Sequence, residues 1–350
     1  MPLAPGFVLQ EALDLLQFSA IVEGDVQSPI PSTPPANWTL QFTSPVIPPF
    51  DNVWQLWKRD DGVFAISIRG TVFQAGSIAE DVLALMISAT GAIKVGATQF
   101  PYTFAADPKA GVHLGFAVAT LLVAELPLIG ILEVLKLNGV GPGSQVYITG
   151  HSQGAAMATL LRSYLQYSAN AIPGVSYKTY VYAQPKPGND HYAADFENRF
   201  SNPGLGFRVT NSLDWVPQVP FTLEFLGDIN EPNPLSVLTQ PEFFIKVAKS
   251  IPVRGISLLV QDASHSIVTR QVERVRPALQ ELMTAKAGPA AVVFDGAIDV
   301  PLMLTFNFVN AGTNFSLMGK PCANATECSD QFWEHHTFIY YGLLQQQGVV

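Results

Sequence analysis

The pentapeptide Gly150-His151-Ser152-Gln153-Gly154 constrains this 350-residue chain more than any other stretch. It follows the apolar, β-branched run "SQVYITG" and leads into "AAMATLLRSYLQYS", where Met157, Leu160, Leu161 and Tyr164 share one face at helical spacing. A strand that turns straight into a helix around a serine strains the serine backbone and leaves no room for side chains on the flanking glycines. Ser152 then projects from the turn, and the first N–H groups of the helix, that of Gln153 among them, face any negative charge that develops there. The pentapeptide alone also fits a plain turn; the strand and helix on either side favour a nucleophile.

The rest of the chain alternates strands and helical stretches. "NVWQLWKRDDGVFAISIRGT" reads as two strands joined at Asp60-Asp61-Gly62. Helical spacing runs from Ile78 to about Ile93 and from Phe116 to about Leu135, and "YKTYVYAQP" and "GFRVTNSLDWVPQVP" supply two further strands. This rhythm predicts an α/β fold with a mainly parallel central sheet flanked by helices, its reactive groups gathered at the carboxyl ends of strands. Residues 1–50 pass from a short helical pattern into the proline-dense "SPIPSTPPANW" and "SPVIPPF" and are expected to wrap the body; residues 51–350 form the main domain. Residues 221–300 break the rhythm. Val268, Val272, Val275, Leu279 and Leu282 lie there on one stripe, as expected of a helical insertion packed over the body.

A serine hydroxyl needs a base and the base an orienting carboxylate, in this fold in the chain order serine, acid, histidine. Asp214 lies at the carboxyl end of an apolar strand, on the rim that carries Ser152; a turn-capping aspartate is the other reading of such a residue. Asp228, Asp262, Asp295, Asp299 and Asp330 follow no equally clear parallel-strand pattern. Of the histidines beyond Asp214, His265 sits at the start of the amphipathic helix in the insertion, where a surface or capping role is expected, while His335 and His336 follow the strand-like "LTFNFVN" and precede an aromatic run. His336 is the expected base and His335 the alternative. His151, beside the serine, is read as a packing residue, because consecutive side chains diverge around a sharp turn. The His335-His336 pair lacks further ligands at helical spacing and no His-Glu-x-x-His occurs, so no metal is assigned.

With 48% hydrophobic residues the chain is globular, and with 19 Lys and Arg against 28 Asp and Glu its net charge is −9. That balance argues against nucleic acid, whose phosphates reward clustered cations. Leu114–Leu135 is the one stretch of membrane-spanning length, but Glu125, Pro127 and Glu133 interrupt it, so a helix buried against the sheet is expected. No secretory signal is readable, since Glu11 and Asp14 sit inside the first apolar run; the protein is cytoplasmic if Met1 is the native start and secreted if a leader was removed. Cys322 and Cys328 are close enough to close a small loop under oxidising conditions, or stand as two free thiols.

Several stretches together resemble the class 3, fungal-type lipase family, which has an α/β-hydrolase fold. "AISIRGT", "GVHLGF", "VYITGHSQGAA", "YVYAQPKPGN", "FRVTNSLDWVPQVP", "NFVNAGTNFSLMG" and "HHTFIYY" occur in that family's order between Asn52 and Tyr341. The resemblance implies a serine carboxylic ester hydrolase with Ser152, Asp214 and His336 as its triad and no cofactor. It also implies Thr71 as a second oxyanion donor beside Gln153, structural roles for Arg69 and His113, and a mobile lid within Val72 to about Lys94. The expected substrate is a lipid or ester, an acylglycerol or medium-chain acyl ester met at an oil–water interface, with simple, phospholipid or aromatic esters as alternatives on the same triad. A catalytically silent binding protein is the rival reading. The insertion between acid and histidine is longer than the family leads one to expect, and Gln153 and Ala155 replace a common leucine and glycine, which leaves the acyl pocket open.

Overall fold

The computed structural model describes residues 3–48, 50–70, 85–95, 98–222, 228–230, 302–303 and 305–347. Its strands are β1 (Trp38–Thr43), β2 (Val53–Arg59), β3 (Phe64–Arg69), β4 (Met86–Ser88), β5 (Thr90–Val95), β6 (Thr98–Thr103), β7 (Gly111–His113), β8 (Gln145–His151), β9 (Ser176–Tyr182), β10 (Gly206–Asn211), β11 (Leu302–Met303) and β12 (Thr313–Leu317). The helices used below are α1 (Leu9–Glu23), α2 (Leu114–Glu125), α3 (Ile131–Leu137), α4 (Gln153–Tyr167), α5 (Asp190–Phe196), α6 (Ala325–Ser329) and α7 (Thr337–Gln347).

Among the described residues, the main sheet has seven strands in the order β1-β2-β3-β8-β9-β10-β12. From β3 to β12 every neighbouring pair is parallel, while β1 and β2 form an antiparallel edge. Both faces are covered, and the strand sequences show why. Val146 and Ile148 of β8 enter one apolar layer with Met157, Leu160 and Leu161 of α4, while Tyr147 enters the other with Leu15, Leu16 and Phe18 of α1 and Leu343 and Leu344 of α7. Side chains alternate across a strand, so a run that is apolar at every position needs a helix layer on each side. Each fully buried Leu or Met in these layers stabilises the fold by about 1.5–3 kcal/mol.

The predicted α/β sandwich is thus present, with the serine at the end of a central parallel strand. The expectation for residues 1–50 was a wrapping segment; here α1 packs on β3, β8 and α7, and β1 joins the main sheet at its edge. The edge position reconciles a strand with the prolines around it, because an edge strand leaves one row of backbone groups unpaired in any case. Glu11 docks α1 on the sheet: Lys178 Nζ approaches its carboxylate at 2.6 Å, and the Tyr147 and Tyr180 hydroxyls donate to it at 2.7 and 2.8 Å. Lys178 is fully buried, so its charge needs the Glu11 carboxylate and the Ala4 carbonyl, which accepts from Nζ at 2.9 Å.

Three expectations about single elements change. The described part of Ile78 to Ile93 is strand, with β4 paired to β7 and β11, and β5 to β6. The run from Phe116 to Leu135 is two helices, α2 and α3, parted by residues 126–130 around Pro127, as a residue lacking an N–H and preset in φ would require. The strand before the terminal histidines is Thr313–Leu317, not "LTFNFVN". Among the described residues no helix is long and apolar enough to cross a membrane. The helical insertion at 221–300 lies outside the described residues except for Phe221, Thr222 and 228–230, as do His265 and most of the expected lid. Cys322 and Cys328 are joined as a disulfide.

Candidate active site

Strand β8 ends at His151 and α4 begins at Gln153, so Ser152 alone makes the turn, with φ 56° and ψ −132°. This left-handed φ is costly for a non-glycine residue and persists only where its surroundings hold it. Here the Ser152 N–H donates to the Tyr182 carbonyl at 3.0 Å. The flanking glycines permit the turn. A Cβ on Gly150 would stand 2.3 Å from the Gly154 carbonyl oxygen, and one on Gly154 would stand 2.1 Å from the Ile68 carbonyl oxygen. Strand β3, helix α4 and the turn therefore meet at backbone-to-backbone distance.

Asp214 follows β10 on the same rim and is buried. Its Oδ1 accepts from the Val216 N–H at 3.0 Å, and its Oδ2 accepts from the Tyr340 hydroxyl at 2.7 Å. Tyr340 in turn accepts from the Asn211 N–H at 3.1 Å, which ties α7 to the end of β10. Between Asp214 and Ser152 stands His335: Nδ1 lies 2.9 Å from Asp214 Oδ2, and Nε2 lies 2.9 Å from Ser152 Oγ. A carboxylate only accepts, so Nδ1 carries the proton and Nε2 is free to accept from the serine hydroxyl. Burial, then the neighbouring His151, pushes the His335 pKa below the usual histidine value, which keeps the ring neutral and able to take a proton.

The expected base was His336, but the ring that stands between Ser152 and Asp214 is that of the alternative, His335. His335 closes a short 3-10 turn (Trp333–His335) and faces inward, whereas His336 stands just before α7 and faces the surface. Its Nε2 lies 2.9 Å from Asp330 and its Nδ1 3.5 Å from Asp25. The bond to Asp25 leads in raising the His336 pKa to about 9. Burial would raise Asp25, but its bonds to His336 and Thr337 outweigh that and bring it to about 2. Asp25 Oδ2 also accepts from the Thr337 N–H and hydroxyl, so the end of α1 caps the start of α7.

This pair fixes a stability window. His336 binds its proton more tightly folded than unfolded, so its contribution is complete below the unfolded value of 6.5 and is lost as pH rises through about 9. With both groups partly exposed, that contribution is about 1 kcal/mol. Thermal unfolding followed from pH 6 to pH 10 should show a fall in Tm that is smaller in Asp25→Asn; equal slopes in both proteins would contradict the ion pair.

The other expected residues divide. Gln153 opens α4 and is buried, beside Ser152. Thr71 and the lid segment 72–84 lie outside the described residues, but Gly70 packs so closely on α4 that a Cβ there would stand 2.4 Å from Gln153 Cβ. His113 is buried, stacks on Phe116 and accepts from the Phe116 N–H at 3.4 Å, and burial lowers its pKa to about 3. Arg69 donates to the Asp51 carbonyl at 2.8 Å. Sequence reasoning missed Tyr340, read only as part of an aromatic run, and Asn211, whose side-chain amide donates to the Glu334 carbonyl and carboxylate and so fastens the histidine turn. A crevice of about 220 Å³ runs beside His335, lined by Leu213, Trp215, Trp333 and the Cys322–Cys328 bridge among others.

Hydroxyl, imidazole and carboxylate thus stand in one hydrogen-bonded row. Among protein families, residues 65–224 match the one described as Lipase (class 3). The matched stretch is less than half of the chain. It runs from within β3 past the elbow and Asp214, and ends short of His335. Among curated proteins, this chain is similar to secreted mono- and diacylglycerol lipase 1 of Fusarium solani, 34% identical over 110 residues, covering 31% of this chain and 30% of that one. Secreted mono- and diacylglycerol lipase A of Penicillium cyclopium is 35% identical over 111 residues, covering 31% of this chain and 32% of that one. The chain thus spans about a third of the length of these relatives. Among solved structures, lipase II from Rhizopus niveus aligns with TM-score 0.41 at 20% identity, covering 61% of this chain and 75% of that one. The lipase from Rhizopus microsporus var. chinensis aligns with TM-score 0.41 at 19% identity, covering 62% and 71%.

Proposed function

We propose that this chain hydrolyses carboxylic esters of the acylglycerol or medium-chain acyl type through an acyl-enzyme, with Ser152 as nucleophile, His335 as base and Asp214 as its orienting acid. The observation that carries this reading is the unbroken relay from Ser152 Oγ to His335 Nε2 and from His335 Nδ1 to Asp214, each step 2.9 Å long. Ser152 Oγ attacks the ester carbonyl as its proton passes to His335 Nε2, and the same proton then goes to the departing alkoxide, which leaves as the alcohol. Water repeats the sequence on the acyl-serine and releases the acid. Asp214, itself held by Tyr340 and Val216, keeps the imidazole in the accepting tautomer and offsets the charge it acquires.

The oxyanion is assigned to the main-chain N–H groups of Gln153 and Thr71. Gln153 begins the helix beside the nucleophile, and Gly70 brings the end of β3 against it. One such donor contributes on the order of 10²–10³ in rate. Water-insoluble acyl groups suit the rim, where Leu213 and Trp215 on either side of Asp214 remain 46% and 41% exposed and line the crevice beside the base. The names of the matched secreted mono- and diacylglycerol lipases point to the same substrate class.

A fluorophosphonate probe tests the assignment. Incubation with the folded protein, followed by peptide mapping, should place the label on Ser152 and abolish hydrolysis of nitrophenyl esters and emulsified glycerides. Absence of label under conditions where the protein is folded would overturn the hydrolase reading. Hydrolysis confined to acetate esters, with no rise in rate at an oil interface, would overturn the assignment to acylglycerols.

A further inference from the structure

His151 was expected only to pack, yet its ring is buried and both nitrogens face acceptors. Nε2 lies 2.7 Å from the main-chain carbonyl oxygen of His335, and Nδ1 lies 3.1 and 3.3 Å from the two carboxylate oxygens of Glu23. A neutral imidazole has one N–H and one bare nitrogen. Opposite a carbonyl oxygen the bare nitrogen cannot sit at Nε2, so Nε2 carries a proton; opposite an ionised Glu23, Nδ1 needs one as well. The Glu23 side chain retains 17% of its exposure.

We propose that His151 is a positioning residue held as an imidazolium by Glu23, where it grips the His335 carbonyl and discourages a second positive charge on the catalytic ring. The inference rests on the triad reading above. The two rings stand 4.5 Å apart between centroids, tilted by 37°. A fixed cation at that distance opposes protonation of His335 before substrate binds, so the base stays competent into mildly acidic solution.

The groups around the pair come from every neighbouring element. Glu23 reaches His151 from the end of α1, Asp214 acts on it from the rim after β10, and the Tyr340 ring of α7 meets it edge-on at 5.9 Å. Asp214 and Glu23 both favour a charged His335, whereas burial and His151 oppose it and prevail. For His151 itself burial opposes the charge, and Glu23 leads the interactions that outweigh it. Helix α1 thereby contributes to the reactive centre without touching substrate. Gly24, in the left-handed conformation at φ 76°, ends the helix just beyond Glu23, with its N–H turned back to the Ala20 and Ile21 carbonyls.

Two measurements test the pair independently. In the wild-type protein labelled with ¹⁵N-histidine, both ring nitrogens of His151 should show protonated shifts from pH 5 to pH 8. One protonated and one bare nitrogen at pH 6 would overturn the proposal whether or not the protein hydrolyses esters. Glu23→Gln keeps a hydrogen-bonding group of the same size but removes the anion that holds the charge. The acidic limb of its kcat/KM profile should move up by about one pH unit, while fluorophosphonate labelling of Ser152 at pH 8 stays within about threefold of wild type, as expected of an effect on protonation alone. An unmoved acidic limb in a folded, labelled variant would overturn the proposal. Failure of the wild-type protein to be labelled would instead overturn the triad reading and leave the nitrogen shifts to decide the state of His151.

Discussion

Replacing Ser152 by alanine should lower kcat for any ester substrate by about 10⁶, because the members of such a triad act as a unit. Residual turnover would remain about 10³–10⁴ above the rate in water, supplied by the oxyanion donors and by binding. The substitution removes one hydroxyl at a position whose strain comes from the backbone, so Tm should change little. KM should also stay close to wild type where chemistry is slow relative to dissociation, since Ser152 Oγ contributes to the transition state more than to ground-state binding. Steady-state hydrolysis with a nitrophenyl ester, together with a thermal melt, checks both halves. A variant that keeps more than a tenth of wild-type kcat would remove Ser152 from the reaction.

The second large effect separates two adjacent residues. His335→Ala should cost about as much as Ser152→Ala, near 10⁶ in kcat, because it removes the acceptor 2.9 Å from Ser152 Oγ. His336→Ala should leave kcat within about threefold and lower stability by about 1 kcal/mol at pH 7, as befits a partly exposed ion pair. Added imidazole should restore part of the rate to His335→Ala by entering the space left by the ring and accepting the serine proton. The opposite ranking, with His336→Ala the inactive variant, would reverse the assignment.

That ranking turns on something the sequence carries only weakly. The elbow was legible because its requirements are local: close approach at Gly150 and Gly154, an apolar strand before, an amphipathic helix after. Asp214 was legible from its place at the end of an apolar strand. "EHHT", by contrast, offers two identical side chains in nearly equivalent settings. Which one faces inward depends on the 3-10 turn at Trp333–His335, held by Asn211 from β10 and by the Trp215 indole, which donates to the Gln331 carbonyl at 3.0 Å. These are long-range contacts, invisible to local spacing. A helix expected up to Ile93 failed similarly: the apolar run there is satisfied by strand partners, and tertiary pairing overrode a pattern that both helix and strand could meet. Glu23 left no signal, because a single acid at the end of an amphipathic stretch reads as solvated surface until the fold carries it to His151.

The bonds from Asp25 to Thr337 join residues 312 positions apart. Closing so large a loop is entropically expensive, and nothing offsets the loss until the parallel sheet and both helices that share its face are in place. A nascent or half-folded chain can therefore own a finished elbow and still lack its proton acceptor.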